Sequence, residues 1–192
     1  KREMEMGPLV ELGKYARLAL GDVDGDGDSE LCVPVWGMTW LLSMSGEIER
    51  SWEKRYEWGG GCTLADLDAD DDYEVIEFGL DGLYVRDGQS GDVLASAPEF
   101  RRYNFDGPPM VADIDADGSA EILVTGHLEE DELEENWSDR RLRAYGPASG
   151  RWARTRRVWT GELYDVTSVA EDGTVISWPF PPWEHYRSFR AQ

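Results

Sequence analysis

The sequence predicts an all-β chain built as β-propeller blades of four antiparallel strands. Three observations carry this expectation. A nine-residue acidic stretch occurs three times, with Asp22, Asp66 and Asp113 in first place, 44 and 47 residues apart. Recurrence at that period marks repeated structural units. Short apolar, β-branched runs flank each copy and read as strands. Each unit of about 45 residues holds four such runs separated by turns, the signature of a propeller blade. Residues 1–192 therefore read as one array, with blades at approximately 15–57, 58–100 and 101–157. A C-terminal hairpin and a Pro/Trp-rich closing strap follow over 158–192. Three full blades make a partial, open or oligomer-completed propeller.

The elements follow in order. A weak strand signal at Pro8-Leu9-Val10 precedes the first unit. That unit has strands at 17–20 and 31–35 around its acidic loop. Strands at 39–44 and 48–52 follow, joined by Ser45-Gly46-Glu47. The second unit repeats the plan at 62–65, 74–78, 82–86 and 93–96, with a Gly-rich turn at 87–92. The third does so at 110–112, 121–125, 142–145 and 152–156, with a turn at 146–150. Its insertion, Glu129-Glu130-Asp131-Glu132-Leu133-Glu134-Glu135, reads first as a solvated acidic loop. Runs at 163–169 and 174–178 flank Glu171-Asp172-Gly173 as a β-hairpin. Pro179-Phe180-Pro181-Pro182-Trp183 is too proline-rich for a central strand and reads as the strap.

The acidic loops carry the chemistry. The first holds Asp22, Asp24, Asp26, Asp28 and Glu30. The second holds Asp66, Asp68, Asp70, Asp72 and Glu74. The third holds Asp113, Asp115, Asp117, Ser119 and Glu121. Carboxylates occupy positions 1, 3, 5 and 9 of every copy, and so many within nine residues repel one another unless a cation sits among them. Positions 1, 3 and 5 can converge, position 7 can offer its carbonyl, and the glutamate can reach back. About six hard oxygen donors suit Ca²⁺ better than Mg²⁺, and the lack of soft ligands argues against zinc and copper. Up to three Ca²⁺ are expected. An EF-hand would place its glutamate at position 12 between helices, which these loops do not. A single acidic turn is as readily a solvated bend, since Asp and Gly dominate turns; three in register are not. Gly27 and Gly118 occupy position 6, where a sharp turn calls for positive φ, but Asp71 stands there in the second copy. Aspartate tolerates that region at some strain, so the second site is expected to be weaker or differently shaped.

Composition narrows the partners. Nine Trp and eight Tyr in an ordinary hydrophobic background support a packed core. No run of 18 apolar residues occurs, so no membrane-spanning helix is expected. The net charge is −21, and three bound Ca²⁺ would bring it to about −15. Nucleic acid and anionic membrane surfaces are thereby disfavoured. Cys32 and Cys62 lie on strands of neighbouring units. They are either a disulfide or two buried free thiols, the second reading slightly favoured. The chain begins at Lys1 without a signal sequence, and reads as a processed piece of something longer.

Gly61-Cys62-Thr63-Leu64-Ala65-Asp66-Leu67-Asp68 and Val111-Ala112-Asp113-Ile114-Asp115-Ala116-Asp117-Gly118, the latter followed by Glu121-Ile122-Leu123-Val124, resemble the FG-GAP/VCBS calcium-binding propeller repeats. The resemblance covers roughly 15–157. The stretch from Val158 to Thr174 also looks like the terminal segment of some large bacterial FG-GAP surface proteins. The resemblance implies a propeller whose Ca²⁺ ions clamp the loop between the first two strands of each blade, as in the integrin α-chain head. It further implies an extracellular or cell-surface location and adhesion to a protein or glycan ligand. The chain departs from the family where its naming Phe-Gly element is only hinted at, in Phe105-Asp106-Gly107. It also departs in blade number, so that further blades or self-association would complete a ring.

Three functions are weighed. The first is a calcium-stabilised binding or adhesion module with no catalytic residues and no organic cofactor. The second is an enzyme resembling propeller-built polysaccharide lyases. The loop carboxylates already have a role, however, and only His127 and His185 offer imidazoles, with no nucleophile motif. The third is a lectin using Trp36, Trp40, Trp58, Trp137, Trp159 or Trp183 to stack on sugar rings.

Overall fold

A computed structural model describes residues 17–35, 37–54, 61–101, 107–128, 141–159 and 169–176. The first sheet is β1 (Ala19–Gly21), β2 (Glu30–Val35), β3 (Met38–Leu42) and β4 (Ile48–Glu53). The second is β5 (Cys62–Ala65), β6 (Glu74–Gly79), β7 (Gly82–Arg86) and β8 (Val93–Ala97). The third contains β9 (Phe100–Arg101), β10 (Met110–Ala112), β11 (Glu121–Leu128) and β12 (Arg141–Tyr145). Strands in the first two sheets pair in chain order, every neighbour antiparallel. Among the described residues there is no helix, and the three sheets form no closed ring.

The register repeats with the sequence. Gly21 pairs with Glu30, Ala65 with Glu74 and Ala112 with Glu121. Each acidic loop is therefore the connection between the first two strands of its sheet. These first strands lie side by side: β1 contacts β5, and β5 contacts β10. Arg17 makes a parallel bridge to Gly61, and the Thr63 hydroxyl donates to Pro109 O at 2.6 Å.

Strand alternation divides the apolar residues between two cores. Between the first and second sheets lie Ala19, Val23, Cys32, Leu41, Cys62, Leu64 and Val75. Ile76, Phe78, Leu83 and Val85 of the second sheet meet Phe100, Val111, Ile122 and Val124 of the third. Both faces of β6 are consequently buried, as its reading Glu-Val-Ile-Glu-Phe-Gly without exposed positions shows. The fourth strands β4 and β8 are largely exposed.

Two expectations are corrected. Residues 152–156 are not the fourth strand of the third sheet. The Trp152 amide donates to Ser119 Oγ at 3.1 Å, and the Ala153 amide to Leu67 O at 2.6 Å. Amides engaged by loops are lost to a ladder, and Trp152 itself packs against the second core. The fourth strand is instead β9, which pairs with the distal end of β11 through His127↔Arg101 and Leu128↔Phe100. That end is open because β11 has eight residues and its partner β10 only three. The second correction concerns the cysteines, which form a Cys32–Cys62 disulfide rather than free thiols. Both side chains project into the first core, and the 6.6 Å Cα separation falls within the bonding range.

The turn of the C-terminal hairpin is present. Val169 bridges Val175, and the Ala170 amide donates to Thr174 O at 2.9 Å. Residues 1–14, the 129–135 insertion, the 163–168 run, the 179–183 strap, His185 and the Phe105-Asp106 hint lie outside the described residues, as do Trp36, Trp58, Trp137 and Trp183.

Candidate metal centres

The three loops are built on one plan. The position-9 glutamate closes each of them by accepting the position-2 amide. Glu30 Oε2 accepts Val23 N at 2.8 Å, Glu74 Oε2 accepts Leu67 N at 2.6 Å, and Glu121 Oε2 accepts Ile114 N at 3.0 Å. Position 5 accepts the position-7 amide in every copy: Asp28 N to Asp26 Oδ1, Asp72 N to Asp70 Oδ1, and Ser119 N to Asp117 Oδ1. These bonds fix the carboxylates in place and leave their remaining oxygens for another partner.

Carboxylate oxygens come within 4.8 Å of one another in three groups: Asp22, Asp24 and Glu30; Asp66, Asp68 and Asp70; Asp113, Asp115 and Glu121. Asp26, Glu74 and Asp117 lie in the same loops but outside these groups. Of the position-7 side chains, Asp72 accepts from Gln89 and Ser119 accepts from Trp152 N. With these side chains engaged elsewhere, the position-7 carbonyls are the donors this position can offer a cation.

The sites accommodate a cation on two physical grounds. Asp22 Oδ1 and Asp113 Oδ1 are buried without a hydrogen-bond partner among the described residues, and Asp113 as a whole is 2% exposed. A buried anionic oxygen left without a partner is costly, and a bound cation removes that cost. The carboxyls are also held out of their ordinary range. Burial pushes Glu30 up to about 7 and Glu74 up to about 8, reinforced by neighbouring aspartates. Burial likewise raises Glu121, Asp68 and Asp72. Each of these shifts reports an environment hostile to uncompensated negative charge.

The second loop differs. In the first and third, the position-6 amide donates to the position-1 carboxylate, Gly27 N to Asp22 at 2.9 Å and Gly118 N to Asp113 at 3.2 Å. In the second, Asp66 Oδ1 accepts Ala69 N at 2.7 Å, and the converging group uses position 5 rather than position 9. Asp71 takes φ +75° where the other copies have glycine. The loop is thus shaped differently, as Asp71 led one to expect.

Several features were not read from the sequence. Position 4 is left-handed in every loop, at Gly25, Ala69 and Ala116 with φ of 71°, 65° and 64°. Alanine there carries strain of about 1–2 kcal/mol, and the clue was the glycine in the first copy. Cations attend two loops: Arg50 lies 3.7 Å from Asp24, and Arg151 donates to Asp117 O at 2.8 Å. Glu77 stands where the other copies have Val33 and Val124. It is 7% exposed and accepts the Thr39 hydroxyl and the Trp52 indole across the first interface, with Arg86 at 3.4 Å. The broken repeat at that position was the available signal.

No known protein-family profile matches the sequence, and no curated protein matches it. Among solved structures, the V. cholerae biofilm matrix protein Bap1 is similar in fold, with a TM-score of 0.75 and 18% identity. The match covers 85% of this chain but 27% of that one. This chain thus spans about a quarter of the length of Bap1 and shares its fold over that span.

Proposed function

We propose that this chain is a calcium-stabilised binding module of a secreted or cell-surface protein, built from FG-GAP/VCBS-type propeller blades at about 15–57, 58–100 and 101–157. The observation that carries the reading is the buried, unpartnered Oδ1 of Asp113 and Asp22, repeated at the first position of equivalent loops. Asp22, Asp24, Asp26 and Glu30, with their counterparts in the other copies, supply the carboxylates. Asp28, Asp72 and Ser119 supply carbonyls. Calcium there ties the first two strands of each sheet, a structural role matched to the millimolar levels outside cells. The likeness to a biofilm matrix protein supports an extracellular setting and adhesion to a protein or glycan.

Completion by a further sheet has its own support. Val23 and Leu67, at position 2 of the first two loops, are buried in the cores formed with the following sheet. Ile114, their counterpart in the third, is 49% exposed. A further blade, from this chain or from a second copy, would cover it. Catalysis has less support, since the loop carboxylates accept main-chain amides and already serve the proposed cation sites. The lectin reading is likewise weaker, because Trp159, one of its candidate stacking residues, packs against the second core.

Elemental analysis of the folded chain after dialysis against millimolar calcium tests the reading, together with its melting curve in chelator. Up to three Ca²⁺ per chain and a melting temperature lowered by many degrees on chelation are expected. A metal-free protein with an unchanged melting curve would refute it.

A further inference from the structure

The first two acidic loops touch each other, and the turn between β7 and β8 lies over both. Gln89 Nε2 donates to Asp24 O at 3.2 Å in the first loop and to Asp72 Oδ2 at 2.5 Å in the second. An amide nitrogen carries two hydrogens, so both bonds are made together. Gly88 is wedged between Val23 O and Tyr73 O, where a Cβ would lie 2.3 Å from each. Gly25 is equally confined: a Cβ there would sit 1.9 Å from Asp72 Oδ1. The turn is internally braced, with Asp87 Oδ1 accepting both the Ser90 amide and its hydroxyl. Neither loop can shift without displacing the other.

We infer that Gln89 is a positioning residue that couples the first two cation sites, so that an ion in the first loop raises the affinity of the second. The inference rests on the calcium reading above. Asp24 supplies a carboxylate to the first site, and Asp72 supplies its carbonyl to the second. An ion that immobilises Asp24 fixes one acceptor of the Gln89 amide. The other hydrogen of that amide then holds Asp72 in its bound position, reducing the ordering cost of the second ion. Direct repulsion between the two ions opposes this and is weakened, though not abolished, by salt. The third site stands apart. Its link to the second loop runs through Ala153, whose N and O bond Leu67 O and Ala120 N at positions 2 and 8. Those atoms belong to no proposed ligand.

Calcium titration by calorimetry of the full chain tests the coupling, with circular dichroism checking the fold. Three proteins are compared: the wild type, Asp22→Asn/Asp24→Asn, and Gln89→Ala. The loop variant should lose one ion and bind a second at least about fivefold more weakly, leaving the third unchanged. Gln89→Ala should keep every ion and show the same weakening at one site. Equal affinities in wild type and Gln89→Ala would overturn the proposal. Should the loop variant fail to fold, Gln89→Ala decides alone, because Gln89 is exposed and outside the loops. A folded wild type that binds no calcium would instead refute the calcium reading, a distinguishable result.

Discussion

Replacing Glu30 by glutamine should change stability in opposite directions with and without calcium. Glu30 is 2% exposed, and burial raises its carboxyl from the ordinary 4.5 to about 7. A carboxyl raised on folding holds its proton more tightly in the native state. Its contribution is complete below the unfolded value of about 4.5 and is lost as pH climbs through about 7. At neutral pH the offset is about two pK units, on the order of 3 kcal/mol. The carboxyl lies at the edge of a solvent-facing loop, and screening leaves roughly 2 kcal/mol. Glutamine cannot ionise, yet it keeps an oxygen for the Val23 amide. In chelator near neutral pH, Glu30→Gln should therefore stabilise the chain by roughly 2 kcal/mol, and near pH 4 by almost nothing. In millimolar calcium the sign reverses, because the site has lost a charged donor. Urea denaturation followed by tryptophan fluorescence, in chelator and in calcium at both pH values, reads all four quantities. Equal destabilisation in chelator and calcium would refute the argument that uncompensated charge governs this loop.

Other outcomes follow from the same geometry. Reducing the Cys32–Cys62 disulfide, which spans 30 residues, should lower stability by about 3–4 kcal/mol on the chain-entropy model, seen as a shifted urea midpoint. Gly25→Ala should destabilise well beyond Gly27→Ala, because its Cβ meets Asp72 while that at Gly27 meets nothing within 4 Å; paired thermal melts compare them. Ala116→Gly should gain about 0.5–1 kcal/mol in chelator by relieving a left-handed alanine, measured by the same melts. Glu77→Val would restore the repeat pattern but take the acceptor from the Thr39 hydroxyl and the Trp52 indole and the carboxylate from Arg86, which would keep its hydrogen bond to the Gly91 carbonyl. A loss of about 3–5 kcal/mol is expected in denaturant titration.

The repeat made the loops legible because their chemistry is local: nine residues contain both the charges and the turn. The first three strands of each unit were legible for a similar reason, since short apolar runs beside the loops have few other uses. The third unit defeated that reasoning. Residues 152–156 look like a strand locally, but the amide of Ala153 is taken by Leu67, more than 80 residues away. The broken repeat at Glu77 marked the position but not its role as a joint, because its partners Thr39 and Trp52 come from another sheet. The disulfide depended on register: Cys32 faces the second sheet only because Ala19 pairs with it, and two isolated cysteines carry no such information.

The covalent tie between Cys32 and Cys62 encloses most of the first sheet, including the exposed 44–47 turn. A protease cutting that turn opens a ring rather than severing the molecule. Both pieces stay attached through sulfur, and β3 and β4 remain hydrogen-bonded to each other across the cut. Nicking at this exposed corner would pass unnoticed on a native gel and come apart only under reducing, denaturing conditions.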